Sequence, residues 1–247
     1  MKLAHSAAAL AFLLAPQALW AEGAHWAYDG DAGPDAWAAL DPANALCAKG
    51  AHQSPIDLSG AMHGDVAASA PVWASDTDWT AINNGHTVQA APAHGGAAGQ
   101  IEIAGKTYDL VQFHFHHPSE HAVDAAHTEM EVHFVHKAAD GALAVIGVML
   151  TGGGAVGPVD AVLAAAPIHE GEAPAGIADP SALLPAGGLF DRYEGSLTTP
   201  PCSEAVTWTV TTEKMAVSDE ASAAFSAMFP NDARPLQPLN DRELLIN

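Results

Sequence analysis

The sequence predicts a mainly β protein built on a large, twisted, mostly antiparallel central sheet with a few short helices at its periphery. Short runs of alternating or β-branched residues dominate the chain, and Gly, Pro, Asn and Asp separate them, as is typical of antiparallel strands joined by surface loops. With 247 residues, of which 49% are hydrophobic, the chain suits one large all-β domain with a sizeable core. The predicted strands are Thr87–Ala90, Ile101–Ile103, Thr107–His116, Met130–His136, Leu143–Leu150 and Val206–Thr211.

Only two segments have clear helical features. Residues 159–166 form a short candidate, and residues 218–229 form a better one, with a serine cap and two acidic residues in the first turn. The glycine-containing stretches 152–157 and 171–188 are predicted to be long surface loops. The apolar face of the second helix is formed by Ala221, Phe225, Met228 and Phe229.

The first 21 residues have the pattern of a secretory signal peptide. A lysine precedes a mostly apolar stretch from Leu3 to Leu19, and Ala21 offers a small residue for cleavage, with Ala24 as the alternative. We therefore expect residues 1–21 to be removed and the protein to be periplasmic or secreted.

A membrane anchor is the other interpretation of this apolar stretch. Pro16 interrupts it, and it falls short of the roughly 20 apolar residues that a spanning helix needs. We expect a mature domain of residues 22–247 with no membrane insertion after cleavage.

The chain has two cysteines, Cys47 and Cys202. In an oxidising compartment an even number of cysteines favours a disulfide, and here only one pairing is available. Two inert buried thiols are the alternative.

The composition is strongly acidic, with a formal net charge of −21 at pH 7. Such a charge argues against nucleic acid and anionic membrane surfaces as partners. The acidic residues are scattered along the chain, so a solvated surface is the simplest interpretation.

The most informative feature is a pair of alternating histidine-containing runs. His114 and His116 share one face of a predicted strand, and Glu131 and His133 share one face of another. If the two strands lie together in the sheet, three imidazoles converge and leave a fourth coordination position open, which is the arrangement of a catalytic zinc site. The alternative is two polar strand faces whose histidines never meet.

Several motifs in register resemble the α-class carbonic anhydrases of the exported bacterial type. Their order and spacing cover nearly the whole mature chain, from about Trp26 to the end. The matching segments are Gln53–Asp57, Asn84–His86, Gln112–His116, Ser119–His121, Glu131–His133, Gly195–Cys202 and Arg234–Pro235.

This resemblance implies the ligands of a zinc ion, the cofactor of that family. His114, His116 and His133 match the ligand positions, while Gln112 matches the residue that orients His114 and Glu131 the residue that orients His133. Without the resemblance, the last two are ordinary polar strand residues.

The resemblance also implies residues that act on the reactants. Thr198 matches a gatekeeper hydroxyl that donates to a buried carboxylate, here Glu120, and aims the attacking hydroxide at the substrate. Thr199 matches a position that helps to place bicarbonate. His86 matches the proton shuttle, because an imidazole near neutral pKa at a cavity mouth can carry a proton to buffer. An exposed turn histidine without a role is the alternative for His86.

The implied reaction is the reversible hydration of carbon dioxide to bicarbonate and a proton. Two other functions stay open, namely a catalytically silent binding domain of the same fold and an exported metal buffer. The protein is expected to be a monomer or a homodimer. The apolar carbon dioxide pocket implied by the resemblance consists of Val135, Val145, Leu197, Val206 and Trp208.

One position departs from the family pattern. The family usually has Asn two residues before the Arg-Pro pair, whereas this chain has Asp232 two residues before Arg234. In the family that Asn supports the hydrogen-bonding around a ligand, so the departure puts the support of one ligand in doubt.

Overall fold

The computed structural model describes residues 25–66, 71–157 and 160–247. The predicted signal peptide and the first residue of the predicted helix 159–166 lie outside these ranges. Within them, one sheet of thirteen strands organises the chain. The strands are β1 Met62–His63, β2 Val72–Trp73, β3 Asp78–Asn83, β4 Val88–Pro92, β5 Gly99–Ile103, β6 Lys106–His116, β7 Met130–Lys137, β8 Leu143–Thr151, β9 Gly171–Ile177, β10 Phe190–Ser196, β11 Glu204–Thr211, β12 Met215–Ala216 and β13 Leu245–Ile246.

The sheet has the predicted mostly antiparallel character. Its main path runs β1-β13-β10-β11-β8-β7-β6-β4-β3-β9, with β12 beside β8 and β2 joined through β5 to β6. Within the described part of the chain, β1–β13, β8–β11 and β8–β12 are parallel pairs, and the other pairs are antiparallel. All six strands predicted from the sequence are present, with ends that differ by a few residues.

Both faces of the central strands are buried. The larger apolar cluster lies on one face and includes Phe113, Phe115 and Phe134, while a smaller cluster containing Tyr193 and Trp208 lies on the other. Every residue of β7 except its last is buried for this reason. Polar side chains on this strand therefore need partners within the protein.

The helices are short and peripheral. They are α1 Trp37–Leu40, α2 Leu46–Lys49, α3 Asp160–Ala165 and α4 Asp219–Met228, with 3₁₀ turns at Gly30–Ala32, Pro42–Asn44 and Pro180–Leu183. The hydroxyl of Ser218 accepts a hydrogen bond from Ala221 N at 3.1 Å, which confirms the predicted serine cap of α4. Ala221 and Phe225 are buried against the larger cluster, as the apolar pattern predicts.

The predicted loop 171–188 is wrong in part. Residues 171–177 form β9, which pairs with β3 at the edge of the sheet, and a 3₁₀ turn covers residues 180–183. The sequence of β9 contains glycine and proline and lacks β-branched alternation, so it has no local strand signal. An edge strand tolerates Pro174 because one side of its backbone has no partner strand.

Among the described residues, no helix combines the length and apolar character needed to cross a membrane.

A histidine is buried on the face of β7 that belongs to the larger cluster. His136 has 0% exposure, and its Nε2 accepts a hydrogen bond from Trp73 Nε1 at 3.1 Å. Because side chains alternate along a strand, this ring points away from the face that carries His133. Burial lowers the pKa of His136 from 6.5 to about 4, although backbone groups at Phe134 and Ala144 oppose the lowering.

This buried imidazole should make the fold sensitive to acid. Between pH 6.5 and about 4 the unfolded state binds the proton and the folded state does not, so stability should fall as pH falls through this window. The loss attributable to His136 should be at most about 3 kcal/mol. Urea unfolding measured across this range checks it, with His136→Gln as a control because glutamine retains an acceptor for Trp73. Equal slopes of unfolding free energy against pH in the two proteins would contradict the assignment.

Candidate metal centre

Three histidines converge because β6 and β7 are adjacent antiparallel strands. His114 lies opposite His133 in the pairing register, and His116 lies opposite Glu131. The ring centroids of the three histidines are 4.6–5.2 Å apart. One nitrogen from each ring lies within 4.8 Å of the others, so the three can hold a single metal ion. The alternative in which these histidines never meet is therefore wrong.

A hydrogen bond fixes the outer nitrogen of each ring. His114 Nδ1 donates to Gln112 Oε1 at 2.9 Å, and His133 Nε2 donates to Glu131 Oε1 at 2.9 Å. His116 Nδ1 donates to the backbone carbonyl of Asp232 at 2.8 Å. Each acceptor is an oxygen without a proton to give, so each of these bonds places the ring proton on the outer nitrogen. The nitrogens left with a free lone pair are His114 Nε2, His116 Nε2 and His133 Nδ1.

The departure at position 232 leaves the support of His116 intact. The support comes from the main chain, so it does not depend on which side chain occupies the position. The side chain of Asp232 instead accepts a hydrogen bond from His117 N at 2.6 Å. Burial raises the pKa of Asp232 to about 7, although the proximity of His116 and the hydrogen bond from His117 oppose the rise.

A buried chain of hydrogen bonds extends behind His133. Glu131 Oε1 also accepts from His121 Nδ1 at 2.7 Å, and Glu131 Oε2 accepts from His121 N at 2.8 Å. His121 Nε2 contacts Tyr193 Oη at 2.7 Å, and that hydroxyl donates to Ser54 Oγ at 2.8 Å. Burial would raise the pKa of Glu131, but His121 and His133 hold it well below its ordinary value.

The donor set fits zinc. Burial lowers the pKa of His133 to about 4, and burial with the neighbouring histidines lowers that of His114 well below its ordinary value, so both rings are neutral as ligation requires. Within the described ranges, His116 Nε2 is buried without a hydrogen-bond partner, and so is Glu120 Oε2 at 3.5 Å from it. Three imidazole nitrogens with a polar position beside them match a three-ligand catalytic zinc site.

The loop that carries Thr198 packs beside this centre. The Thr198 hydroxyl hydrogen-bonds the carboxyl group of Glu120, whose Oε1 also accepts from Arg234 N at 2.9 Å. Burial raises the pKa of Glu120 to about 8, while these two hydrogen bonds oppose the rise. Thr199 is the next residue of the loop and is half-buried, and its carbonyl accepts from Cys202 N at 2.8 Å.

A disulfide joins Cys47 to Cys202 and ties the end of this loop to the helical amino-terminal segment. The predicted pairing is confirmed. Two further contacts hold the same junction, because Gln53 Nε2 donates to the Cys202 carbonyl and Arg234 Nη2 donates to the Cys47 carbonyl.

The predicted apolar pocket residues lie together in the smaller apolar cluster. Trp208 is nearly fully buried, and its ring centroid lies 4.8 Å from that of His133. The apolar group therefore borders the metal centre directly. Its members are Val135, Val145, Val206 and Trp208, with Leu197 packed against them.

The structure reveals aromatic neighbours of His86 that the sequence pattern did not identify. The ring of Trp26 stacks on His86 with centroids 3.7 Å apart and an angle of 9°, and His25 lies 5.5 Å away. The pKa of His86 is lowered by partial burial and by His25, against the charge of Glu170. No spacing rule links position 26 to position 86, so only the fold brings them together.

Asn84 and Thr87 hold the turn that carries His86 against β6. Asn84 Oδ1 accepts from the backbone N–H groups of His86 and Thr87, each at 3.0 Å. The hydroxyl of Thr87 donates to the carbonyl of Phe115, which lies between two of the three histidines along β6. The turn therefore sits at the same end of the sheet as the metal centre.

Three histidines that can hold one metal ion, on a mixed sheet and beside a buried apolar group, have the arrangement expected of a mononuclear catalytic metal site. The family model for eukaryotic-type carbonic anhydrases matches residues 32–247. A carbonic anhydrase from Nostoc sp. is 42% identical over 230 residues, which are 90% of this chain and 86% of the relative. One from Klebsiella pneumoniae is 40% identical over 243 residues, which are 97% of each chain.

Solved structures agree with this comparison. The α-carbonic anhydrase of Thermovibrio ammonificans, determined with the inhibitor sulfanilamide, matches with a TM-score of 0.85 and 38% identity, over 90% of this chain and 99% of that one. The chain therefore belongs to the eukaryotic-type, or α, carbonic anhydrase family, which is zinc-dependent. It is an enzyme of reversible carbon dioxide hydration.

Proposed function

We propose that the protein hydrates carbon dioxide at one zinc ion held by His114 Nε2, His116 Nε2 and His133 Nδ1. The observation that carries this proposal is the free nitrogen on each ring, directed to one place while the outer nitrogen is held by an oxygen acceptor. Such acceptors fix the orientation and raise the basicity of ligand imidazoles. Bound zinc would supply a Lewis acid that lowers the pKa of water to about 7, an effect for which carbonic anhydrases are themselves the standard case.

Thr198 and Glu120 orient the nucleophile. The carboxylate of Glu120 accepts from the Thr198 hydroxyl, so the oxygen of that hydroxyl keeps its lone pairs for a donor in the cavity. An attacking hydroxide would donate its hydrogen to the Thr198 oxygen. Because this hydrogen bond fixes the orientation of the hydroxide, one of its lone pairs points toward the substrate. Glu120 is favoured in its ionised form once positive charge is held beside Oε2, since opposite charge lowers a carboxyl pKa.

Carbon dioxide occupies the apolar pocket beside His133. The substrate is small and carries no net charge, so apolar walls hold it without competing for the nucleophile. The walls exclude water from the reacting carbon, and Thr199 offers a hydroxyl at the pocket edge for the bicarbonate product. The wall residues are Val135, Val145, Leu197, Val206 and Trp208.

His86 carries the released proton to buffer. Its ring is partly exposed, and Trp26 supports one face of it. A cationic imidazole on an indole face is stabilised by cation–π attraction, which opposes the lowering of pKa caused by burial. The ring is therefore supported in both protonation states that a shuttle must adopt.

Export is supported by the amino-terminal sequence pattern and by the disulfide. A disulfide persists in an oxidising compartment and is rare in a reducing cytoplasm. We propose that residues 1–21 are removed and that residues 22–247 act as the mature domain in the periplasm or outside the cell.

Neither alternative function has an observation in its favour. A silent binding domain would not need three free histidine nitrogens beside an ordered Thr198–Glu120 pair. A metal buffer would need several sites, whereas both metal-compatible groups among the described residues share His133.

The purified mature protein should hold one zinc ion per chain and hydrate carbon dioxide, because three neutral imidazoles favour zinc over oxygen-seeking ions. His114→Ala should lose both metal and activity, and the neighbouring His117→Ala should keep both. Metal analysis and a hydration assay with and without chelator check this. Zinc retained in His114→Ala would overturn the ligand set, while zinc without activity would favour the silent binding domain.

Thr198→Ala should keep zinc and lose orientation of the nucleophile. Loss of one preorganised hydrogen-bonding group should reduce kcat by about 100- to 1000-fold. Thr198→Ser retains a hydroxyl and should recover most of the rate, and Thr207→Ala serves as a control at a half-buried position of β11 where the hydroxyl donates to Glu194. A rate within about twofold of wild type in Thr198→Ala would mean that the hydroxyl has no catalytic role.

His86→Ala should lower kcat and leave kcat/KM nearly unchanged, because proton release lies outside the carbon dioxide step. Small imidazole buffers should restore part of the lost turnover, and exposed His94→Ala should behave as wild type. A parallel fall in both kinetic constants would place His86 in substrate chemistry or folding.

Material exported by a bacterial host should begin at residue 22 and contain no titratable thiol. Intact mass and thiol titration of the denatured, unreduced protein measure the two properties. Retention of residues 1–21, or two free thiols, would contradict export with cleavage.

A further inference from the structure

A second cleft lies apart from the metal centre. It has a volume of about 360 Å³ and opens where β10 and β13 approach the turn at residues 58–61. None of its lining residues is a metal ligand, a support of a ligand or a predicted pocket residue. Its lining includes Leu58, Ser59, Asp124, Met149, Asp191 and Thr212.

A buried carboxyl group without an evident partner lines this cleft. Asp191 is 6% exposed, and its Oδ1 has no hydrogen-bond partner among the described residues. It shares a face of β10 with Tyr193, and its neighbours Met149 and Val210 belong to the smaller apolar cluster. An ionised carboxylate in such surroundings is destabilised unless an opposite charge or donor reaches it.

The protein itself supplies few groups that could stabilise the ionised Asp191 carboxylate. Burial raises the pKa of Asp191 to about 6, and among the titratable groups of the described residues only His121 opposes the rise. His121 already contacts Glu131 and Tyr193 through its two ring nitrogens. The carboxyl is still mostly ionised at pH 7, so the site carries negative charge when the enzyme works.

The two side-chain hydroxyl groups of the cleft are engaged in other hydrogen bonds. The Ser59 hydroxyl donates to Asp57 and accepts from Asp124 N, and the Thr212 hydroxyl donates to the carbonyl of Leu189. Among the described residues, the metal-compatible groups of three or more side chains do not include Asp191. The cleft therefore does not have the several convergent oxygens that a bare divalent cation requires.

We propose that this cleft binds a small primary ammonium ion with a short apolar chain, the cation on the Asp191 carboxylate and the chain against Leu58 and Met149. A primary ammonium group donates hydrogen bonds and carries one positive charge, which is what a lone buried carboxylate lacks. The apolar walls take the hydrocarbon portion. Asp124 lies at the exposed rim, where its charge attracts a cation to the entrance.

Titration of the zinc-loaded enzyme with n-butylammonium chloride, followed by NMR and calorimetry, tests the site. Saturable binding should be seen, with chemical-shift changes at Leu58, Met149 and Asp191. Asp191→Asn keeps the size of the side chain and should weaken binding by about tenfold or more, because a charge-assisted hydrogen bond is lost. Asp76→Asn makes the same charge change at an exposed position outside the cleft and should bind as wild type.

Two measurements on the unmodified enzyme keep the test independent of how Asp191→Asn folds. Neutral n-butanol should bind much more weakly than n-butylammonium, and ammonium affinity should fall as pH drops below about 6, where Asp191 takes up a proton. Equal binding of the alcohol would show that hydrophobic contact alone fills the cleft. Absence of saturable ammonium binding, or shift changes confined to the metal centre, would overturn the proposal.

Discussion

The pairing register of β6 and β7 is the constraint on which the metal centre depends. Placing His114 opposite His133 brings two imidazoles together, and the alternation of side chains adds His116 from the same face. A slip of one residue would send a complete set of side chains to the opposite face of the sheet. Phenylalanines fill that opposite face, with Phe113 opposite Phe134, so such a slip would bury histidines in the larger apolar cluster and place aromatic rings on the face that carries the metal centre. The cost of that exchange fixes the register, and the register fixes the ligand geometry.

Burial on both faces then requires a second layer of interactions. Polar groups in the interior are stable only when they are hydrogen-bonded, and the site meets this requirement by chains of contacts that lead outward. The chain from His133 passes through Glu131 and His121 to Tyr193, all of them buried. Each link orients the one before it, so a ligand ring is held by groups that never approach the metal. The opposite case is Asp191, a buried carboxyl with an oxygen that no such chain reaches.

The same interior controls the charge of the site. Burial and mutual proximity keep His114 and His133 neutral, whereas contact with His121 and His133 keeps Glu131 ionised. The pKa of Glu120 shifts in the opposite direction to that of Glu131, because burial raises it. Two buried carboxyl groups of one site therefore differ because of their hydrogen-bond partners, and this difference separates a group that orients a ligand from one that positions the gatekeeper hydroxyl.

Local pattern was sufficient for much of this protein. Alternation along a strand determined that His114 and His116 share a face, and a count of two cysteines left one possible disulfide. These inferences work because the spacing of side chains along a strand is a property of the backbone itself. Tertiary structure alone decided which strands are neighbours, that the backbone carbonyl of Asp232 holds His116 across 116 positions, and that Trp26 stacks on His86. It also made residues 171–177 a strand, because an edge position depends on pairing with β3 more than on strand-forming residues. Contacts of this kind join segments far apart in the chain, so a local sequence pattern cannot predict them.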